Sequence, residues 1–269
     1  MELTPKLRKG LGRKPDKPDA RDWHVPRLEH LGIKAPLPSK ADVFAGLNLP
    51  VYDQGDLGSC TANAGVLYRR FLAQRFSQYS PADQDLSRLF LYYQERVLQG
   101  DVDSDGGAEV RDAFRVLANT GVCSEAADPY NVALFDNAAA NGSQADVADA
   151  VKYRIGAYHR ILDMDIARQC LASGYAIELG FVVYESFEEI SGRGLMPLPK
   201  SGERILGGHA VVIFGYDDTM HGGCFTVRNS WGPVWGAKGD FFMPYAFLQD
   251  QALSQFDMWM GHLGRPWRG

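Results

Sequence analysis

Cysteine is scarce and scattered: Cys60, Cys123, Cys170 and Cys224 in 269 residues, with no CxxC among them. That argues against a zinc ribbon, and against a disulfide-dependent secreted fold, since a free Cys60 leaves one bridge at most. No run approaches the ~18 consecutive apolar residues of a membrane span, so no membrane partner is expected. The basic first residues lead into no apolar stretch and no signal peptide is visible. The compartment stays open at this point: cytoplasmic, or exported with the leader absent from this chain. Basic charge is short as well: the net charge is −5, and without a basic footprint no nucleic-acid partner is expected. GxSxG and HExxH are both missing, which argues against a serine hydrolase and a zinc peptidase. There is no internal repeat, and neither a cofactor nor a metal site is expected.

What is present is an ordinary globular composition, 45% hydrophobic and 23% charged, long enough for one large domain or two lobes sharing a cleft. The charge is uneven. Residues 1–22 hold seven basic residues against four acidic, which leaves the remainder at −8. Prolines at 5, 15, 18, 26, 36 and 38 interrupt the first forty residues, and "RKPDKPDARD" has neither helical nor strand period. Residues 1–37 thus read as an extended arm before a domain of residues 38–269.

The spacing predicts a helix from Cys60 to about Phe76, with Ala64, Leu67, Phe71 and Leu72 on one stripe and Arg69, Arg70 and Gln74 elsewhere. A second helix is expected from Ser80 as N-cap, with Pro81 at its first turn and Asp83 three residues on, stopping at Gly100. A third is expected near 108–119. After about residue 150 the texture changes to short β-branched and aromatic runs, "YRIGAYHRI", "YAIELGFVVY", "HAVVIFGYD", "CFTVRNSW" and "DFFMPYA". Helices followed by strands read as α+β, with a helical lobe of roughly 45–150 and a β-rich lobe of roughly 151–262.

Three places carry chemistry. "QGDLGSC", residues 54–60, is a loop that ends in a thiol where the first helix begins. Unpaired N–H groups and the helix dipole favour thiolate there, and with a nearby imidazolium they can lower a thiol from ~8.5 to ~3.5–7.5. "GGHAVVIFGYDDTMHGGCFTVRNSW" has a hairpin signature, and a loop centred on residue 219 sets His209 opposite Asn229. An Asn amide can accept an imidazole N–H and fix its tautomer, while Gly207 and Gly208 let a substrate or another backbone come close. Nucleophile, base and orienter form the general pattern of covalent catalysis. Gln54 adds an amide donor which, with the Cys60 N–H, can stabilise an oxyanion.

"QGDLGSC", "GGHAVVIFGY" and "NSWGPVWG", in that order, resemble the papain-like cysteine peptidases over roughly residues 40–250. The bacterial members are the most similar, sharing the look of "LFLYYQER", "GVCSEAADPY" and "MPYAFL". The resemblance implies a two-lobed α+β fold, a helical lobe carrying the Cys60 helix and a barrel-like β lobe carrying His209 and Asn229, with a cleft for a peptide or protein substrate between them. It makes Cys60 the nucleophile, His209 the acid/base, Asn229 the orienter and Gln54 the oxyanion donor. Trp231 would shield the His–Asn bond, Gly106 and Gly107 would line the non-prime cleft, and Leu179 and Ala210 would form the main apolar specificity pocket. Leu57 stands where many relatives have a half-cystine, Thr61 where they have Trp, and Gly208 where an acidic or apolar residue is common. An arm of some forty Pro-rich residues is too short for the family's helical pro-domain; it is expected to lie along or near the cleft as an intramolecular inhibitor. The alternatives are a Cys-dependent amidase or transpeptidase, and a non-catalytic binding module on the same fold.

Overall fold

The structure is a computed structural model and describes residues 10–26, 36–76, 83–136 and 142–264. Strands β1 (Arg13–Lys14) and β2 (Lys40–Asp42) precede the long helix α1 (Cys60–Arg75). Helix α2 (Arg88–Gln99), strand β3 (Ala108–Glu109), helix α3 (Val110–Asn119) and helix α4 (Gln144–Ala150) follow. Then come β4 (Ala157–Ile161), helix α5 (Met164–Ala172), β5 (Ile177–Tyr184), β6 (Ile205–Asp217), β7 (Cys224–Arg228), β8 (Asp240–Pro244) and β9 (Asp257–His262). This is an α+β arrangement.

Helix α1 is buried on nearly every side, Arg69 included, because α2 and α3 flank it and strands β5 and β6 pack against it. The single apolar stripe expected from the sequence therefore understates its burial. Arg69 is accommodated by donating from Nε to the Tyr153 carbonyl at 2.8 Å. Helix α2 starts at Arg88, where Ser87 accepts the Phe90 N–H, and it ends on left-handed Gly100. Ser80 and Pro81, expected at its start, lie outside the described residues. Asp83 to Ser87 are not helical: Asp85 binds Tyr52 and Arg70, and Leu86 bridges to Ser124.

The larger sheet runs β4-β9-β5-β6-β7-β8, with β2 on β6 and every pairing antiparallel. All eight residues of β5 are buried, as expected of a central strand. Its register sets Gly180 beside Ala210 on one side and Asp257 on the other, and Phe181 beside His209. The β6–β7 ladder pairs Val212 with Arg228, and its register shifts near Phe214, which stacks on Phe44 at 4.5 Å. The ladder is thus centred later than residue 219 and does not itself pair His209 with Asn229. All four cysteines are free and buried. Among the described residues no helix is long and apolar enough to cross a membrane.

Candidate active site

Cys60 is the first residue of α1 and fully buried. Ser59, at the N-cap, makes no capping bond to the helix backbone; its hydroxyl lies 2.6 Å from the Tyr130 hydroxyl and accepts the Asn63 amide at 3.0 Å. Thr61 donates to Glu95 Oε2 at 2.6 Å beneath the thiol. Burial pushes Glu95 well above the usual carboxylate range, against the hydrogen bond from Thr61.

His209 and Asn229 meet although the ladder does not pair them. Beyond Arg228 the chain leaves β7, the Asn229 N–H turning to the Gly239 carbonyl at 2.9 Å. The turn carries the Asn229 amide to His209, with Oδ1 accepting the Nε2–H at 2.7 Å. The Ser230 N–H holds the same oxygen at 2.8 Å. Trp231 lies on the imidazole, ring centroids 4.9 Å apart, with Phe187 behind both. His209 Nδ1 makes no hydrogen bond among the described residues.

Gln54 joins the loop before Cys60 to the "NSW" segment. Its N–H donates to the Ser230 carbonyl at 3.0 Å and its Oε1 accepts the Ser230 hydroxyl at 2.7 Å. That fixes the amide so that Nε2 points the other way, donating to Leu57 O at 2.8 Å and Gly10 O at 2.9 Å.

Gly10 belongs to the arm. The arm's backbone crosses the loop before Cys60 so closely that a Cβ on Gly12 would stand 1.8 Å from the Gly58 carbonyl oxygen. The Gly12 carbonyl accepts the Ala108 N–H at 2.8 Å, and β1 then pairs in parallel with β3. Gly107 faces this segment: its φ is +73°, and a Cβ there would collide with Gly12. Gly106 packs instead toward Asp101 and Ser104. Further along, Asp16 accepts the Trp259 indole N–H at 2.6 Å, and Asp22 pairs with Arg111 and Arg160.

Burial pushes the Cys60 thiol up to about 11, against the backbone hydrogen bonds of Gly12, Ala210 and Thr61. Burial likewise lowers His209 to about 4, which the Asn229 bond only partly offsets. With the arm in place, thiol and imidazole are both neutral at pH 7. The thiolate expected at a helix N-terminus is absent from this state because desolvation outweighs the helix dipole.

Leu179 pairs with Val211 and Met258, and strand alternation turns it to the face opposite Gly180. Ala210 lies on the Gly180 face. The sequence reading did not single out Asp105, whose carboxylate takes the Gly58 N–H at 2.9 and 3.0 Å and the Tyr92 hydroxyl at 2.5 Å. The same hydroxyl accepts the Gly107 N–H at 3.1 Å. The Asp105 side chain thus ties the nucleophile loop, beside Leu57, to Tyr92 of α2 and through it to Gly107. Its only sequence signal was the acidic, glycine-rich "DVDSDGG".

The sequence pattern of the papain family cysteine proteases matches residues 37–249. The chain is 37% identical over 217 residues to an uncharacterized peptidase C1-like protein of Acanthamoeba polyphaga mimivirus, covering 77% of this chain and 68% of that one. Cathepsin B-like CP3 of Giardia intestinalis is 29% identical over 208 residues, 71% of this chain and 62% of its own. Xylellain, a cysteine protease from Xylella fastidiosa, superposes with a TM-score of 0.84 at 35% identity, covering 98% of this chain and all of the other. At 17% identity, procathepsin B S9 from Trypanosoma congolense shares the fold with a TM-score of 0.71, over 94% of this chain and 86% of that one. A chain matched by the family pattern over most of its length, and aligned end to end with a solved member, belongs to the papain family of cysteine proteases and is a cysteine peptidase.

Proposed function

We propose that this peptidase cleaves peptide bonds through a thioester on Cys60, and that residues 1–37 act as an intramolecular inhibitor. The observation that carries both parts is the bond from Gln54 Nε2 to the Gly10 carbonyl. An amide fixed by Ser230 and aimed beside the nucleophile is occupied by a backbone carbonyl of the chain's own arm, where a substrate carbonyl would otherwise lie.

In the reaction, His209 Nδ1 takes the thiol proton, since Nε2–H is committed to Asn229. Cys60 Sγ adds to the carbonyl carbon, and Gln54 Nε2 with the Cys60 N–H stabilises the oxyanion. The C–N bond then breaks as His209 returns its proton to the departing amine. Water, deprotonated by His209, adds to the thioester; the C–S bond breaks and leaves a carboxylic acid and the free thiol. Leu179 contributes to the apolar backing of the β lobe, while Ala210, Gly106, Gly107 and Trp231 line or flank the substrate path.

The full chain carrying Gly12→Val, which lifts the arm, tests the chemistry. Hydrolysis of a small peptide amide is expected to stop with one equivalent of a thiol-directed epoxide bound at Cys60. Hydrolysis that survives the label would reject the thioester route. Products found only as amine adducts in the presence of added amine would move the enzyme to the transpeptidases. In the same background, Gln54→Ala is expected to lower kcat by ~10²–10³-fold with little change in KM, read from initial rates.

A further inference from the structure

Arg13 reaches through the arm's contact with the cleft into a closed pocket. The residue is only 5% exposed, and Nη2 donates to Asp257 Oδ2 and, at 2.9 Å, to the Gln255 carbonyl. The pocket follows from the register of the sheet. Asp257 on β9, Gly180 on β5 and Ala210 on β6 are cross-strand neighbours, so their side chains share one face. Glycine in the middle of that row leaves an opening beside a carboxylate, and a Cβ on Gly180 would stand 2.6 Å from Arg13 Nε. Val110 closes the pocket from the helical side, and Gly208 gives room for the Arg13 backbone and Cδ.

Among the described residues, the polar atoms that Arg13 bonds are acceptors, Asp257 Oδ2 and the Gln255 carbonyl. Asp257 Oδ1 accepts from Arg160 Nη2 at 2.6 Å, a donor on β4 rather than on the arm, although Arg160 also pairs with Asp22 of the arm. Among the described residues, Oδ2 receives only arm donors, the Arg13 guanidinium and the Asp16 N–H at 2.9 Å. When the arm lifts, Oδ2 and the Gln255 carbonyl face the pocket with no donor from the arm. An apolar side chain in this space would bury both unpaired, whereas a cationic one would satisfy both.

We propose that this pocket makes the enzyme select a basic side chain at one substrate position, with Asp257 as the specificity-determining residue and Arg13 as its stand-in on the arm. The proposal rests on the reading that the arm occupies the substrate cleft. It replaces the apolar pocket expected from the sequence with one that requires a donor. Arg13 Nε and Nη1 make no hydrogen bond among the described residues. A single nitrogen does the binding, so lysine is accepted too, below arginine.

The test uses peptidyl vinyl sulfones carrying Arg, Lys, Leu, Phe or Glu at each position in turn, with labelling of Cys60 followed by mass in the full-length Gly12→Val chain. Arg is expected to label on the order of ten- to a hundredfold faster than Leu at one position, Lys between them and Glu slowest. Asp257→Asn should collapse that preference to within about threefold. A second series avoids altering the pocket. In the otherwise unmodified full chain, Arg13→Lys should keep Cys60 protected from iodoacetamide, whereas Arg13→Leu and Arg13→Glu should expose it. Equal labelling by Arg and Leu probes at every position, or a thiol as well protected in Arg13→Leu as in the parent chain, would overturn the proposal. Loss of peptide turnover with the Arg preference in labelling intact would count against the thioester hydrolysis and leave the pocket assignment standing.

Discussion

Replacing Gly12 with valine in the full chain is expected to raise the rate at which iodoacetamide alkylates Cys60 at pH 7 by at least about a hundredfold. The arm's backbone lies against Gly58 with no space for a Cβ, and the obstructing atoms are themselves backbone. The arm must therefore lift, taking with it the Gly12 bond and the cover over the thiol. With the thiol at about 11, the docked state holds a thiolate fraction of only about 10⁻⁴ at pH 7. An exposed thiol at an ordinary ~8.5 already has a few per cent, and the helix end and an imidazolium lower it further. The sign is fixed by burial: a raised thiol pKa leaves the wild-type rate climbing toward pH 11, whereas the released chain should already be reactive near pH 6. Turnover of small peptides should rise in parallel. Gly10→Ala is a milder version of the same experiment, since its Cβ would lie 2.3 Å from the Leu57 carbonyl oxygen. Identical pH–rate profiles in wild type and both variants would show that the arm does not govern the nucleophile.

The residues proposed for the chemistry each sit in a local sequence pattern: a glycine-rich loop running into a helix for Cys60, a Gly–Gly–His strand for His209, and the "NSW" turn for Asn229. Their meeting was inferred from a hairpin register that the structure does not have. The ladder is offset, and the His–Asn contact is made by the chain turning out of β7 after Arg228, where the Asn229 N–H bonds the Gly239 carbonyl. Periodicity failed where burial is complete. Helix α1 is enclosed on nearly every side, with Arg70, Gln74 and Arg75 outside the buried set, so a single stripe understates its burial. Strand β9, "DMWMGH", has no β-branched residue and was not recognised, although it supplies Asp257.

The ionisation state of the thiol was not legible either. Helix-end electrostatics are local and can be read from sequence, but desolvation by residues distant in the chain is tertiary. Pocket polarity is hidden for the same reason. Leu179 and Gly180 are adjacent in the chain and opposite in the sheet, so a one-residue uncertainty in alignment exchanges an apolar wall for an open one. Only the pairing of Gly180 with Asp257 shows that the open position sits beside a carboxylate.

In the arm-released chain, Cys60→Ser and His209→Ala are each expected to lower kcat/KM by on the order of 10⁴-fold or more, and the double variant little further. A serine hydroxyl beside a buried imidazole is far less acidic than the thiol, and without His209 no group is left to receive its proton or return it to the amine. Asn229→Ala should cost less, about 10–100-fold. The imidazole keeps its contact with Trp231 but loses the acceptor that fixes its tautomer. That acceptor also raises the His209 pKa. Its removal should therefore deprotonate the imidazolium at lower pH and move the alkaline limb of kcat/KM downward, narrowing the pH profile from that side. Urea unfolding of each variant separates lost chemistry from lost fold, which matters for His209 because its ring is fully buried. Activity within tenfold of the parent in a folded His209→Ala chain would remove His209 from the reaction. An unmoved alkaline limb in Asn229→Ala would mean that the 2.7 Å bond orients the ring without tuning its charge.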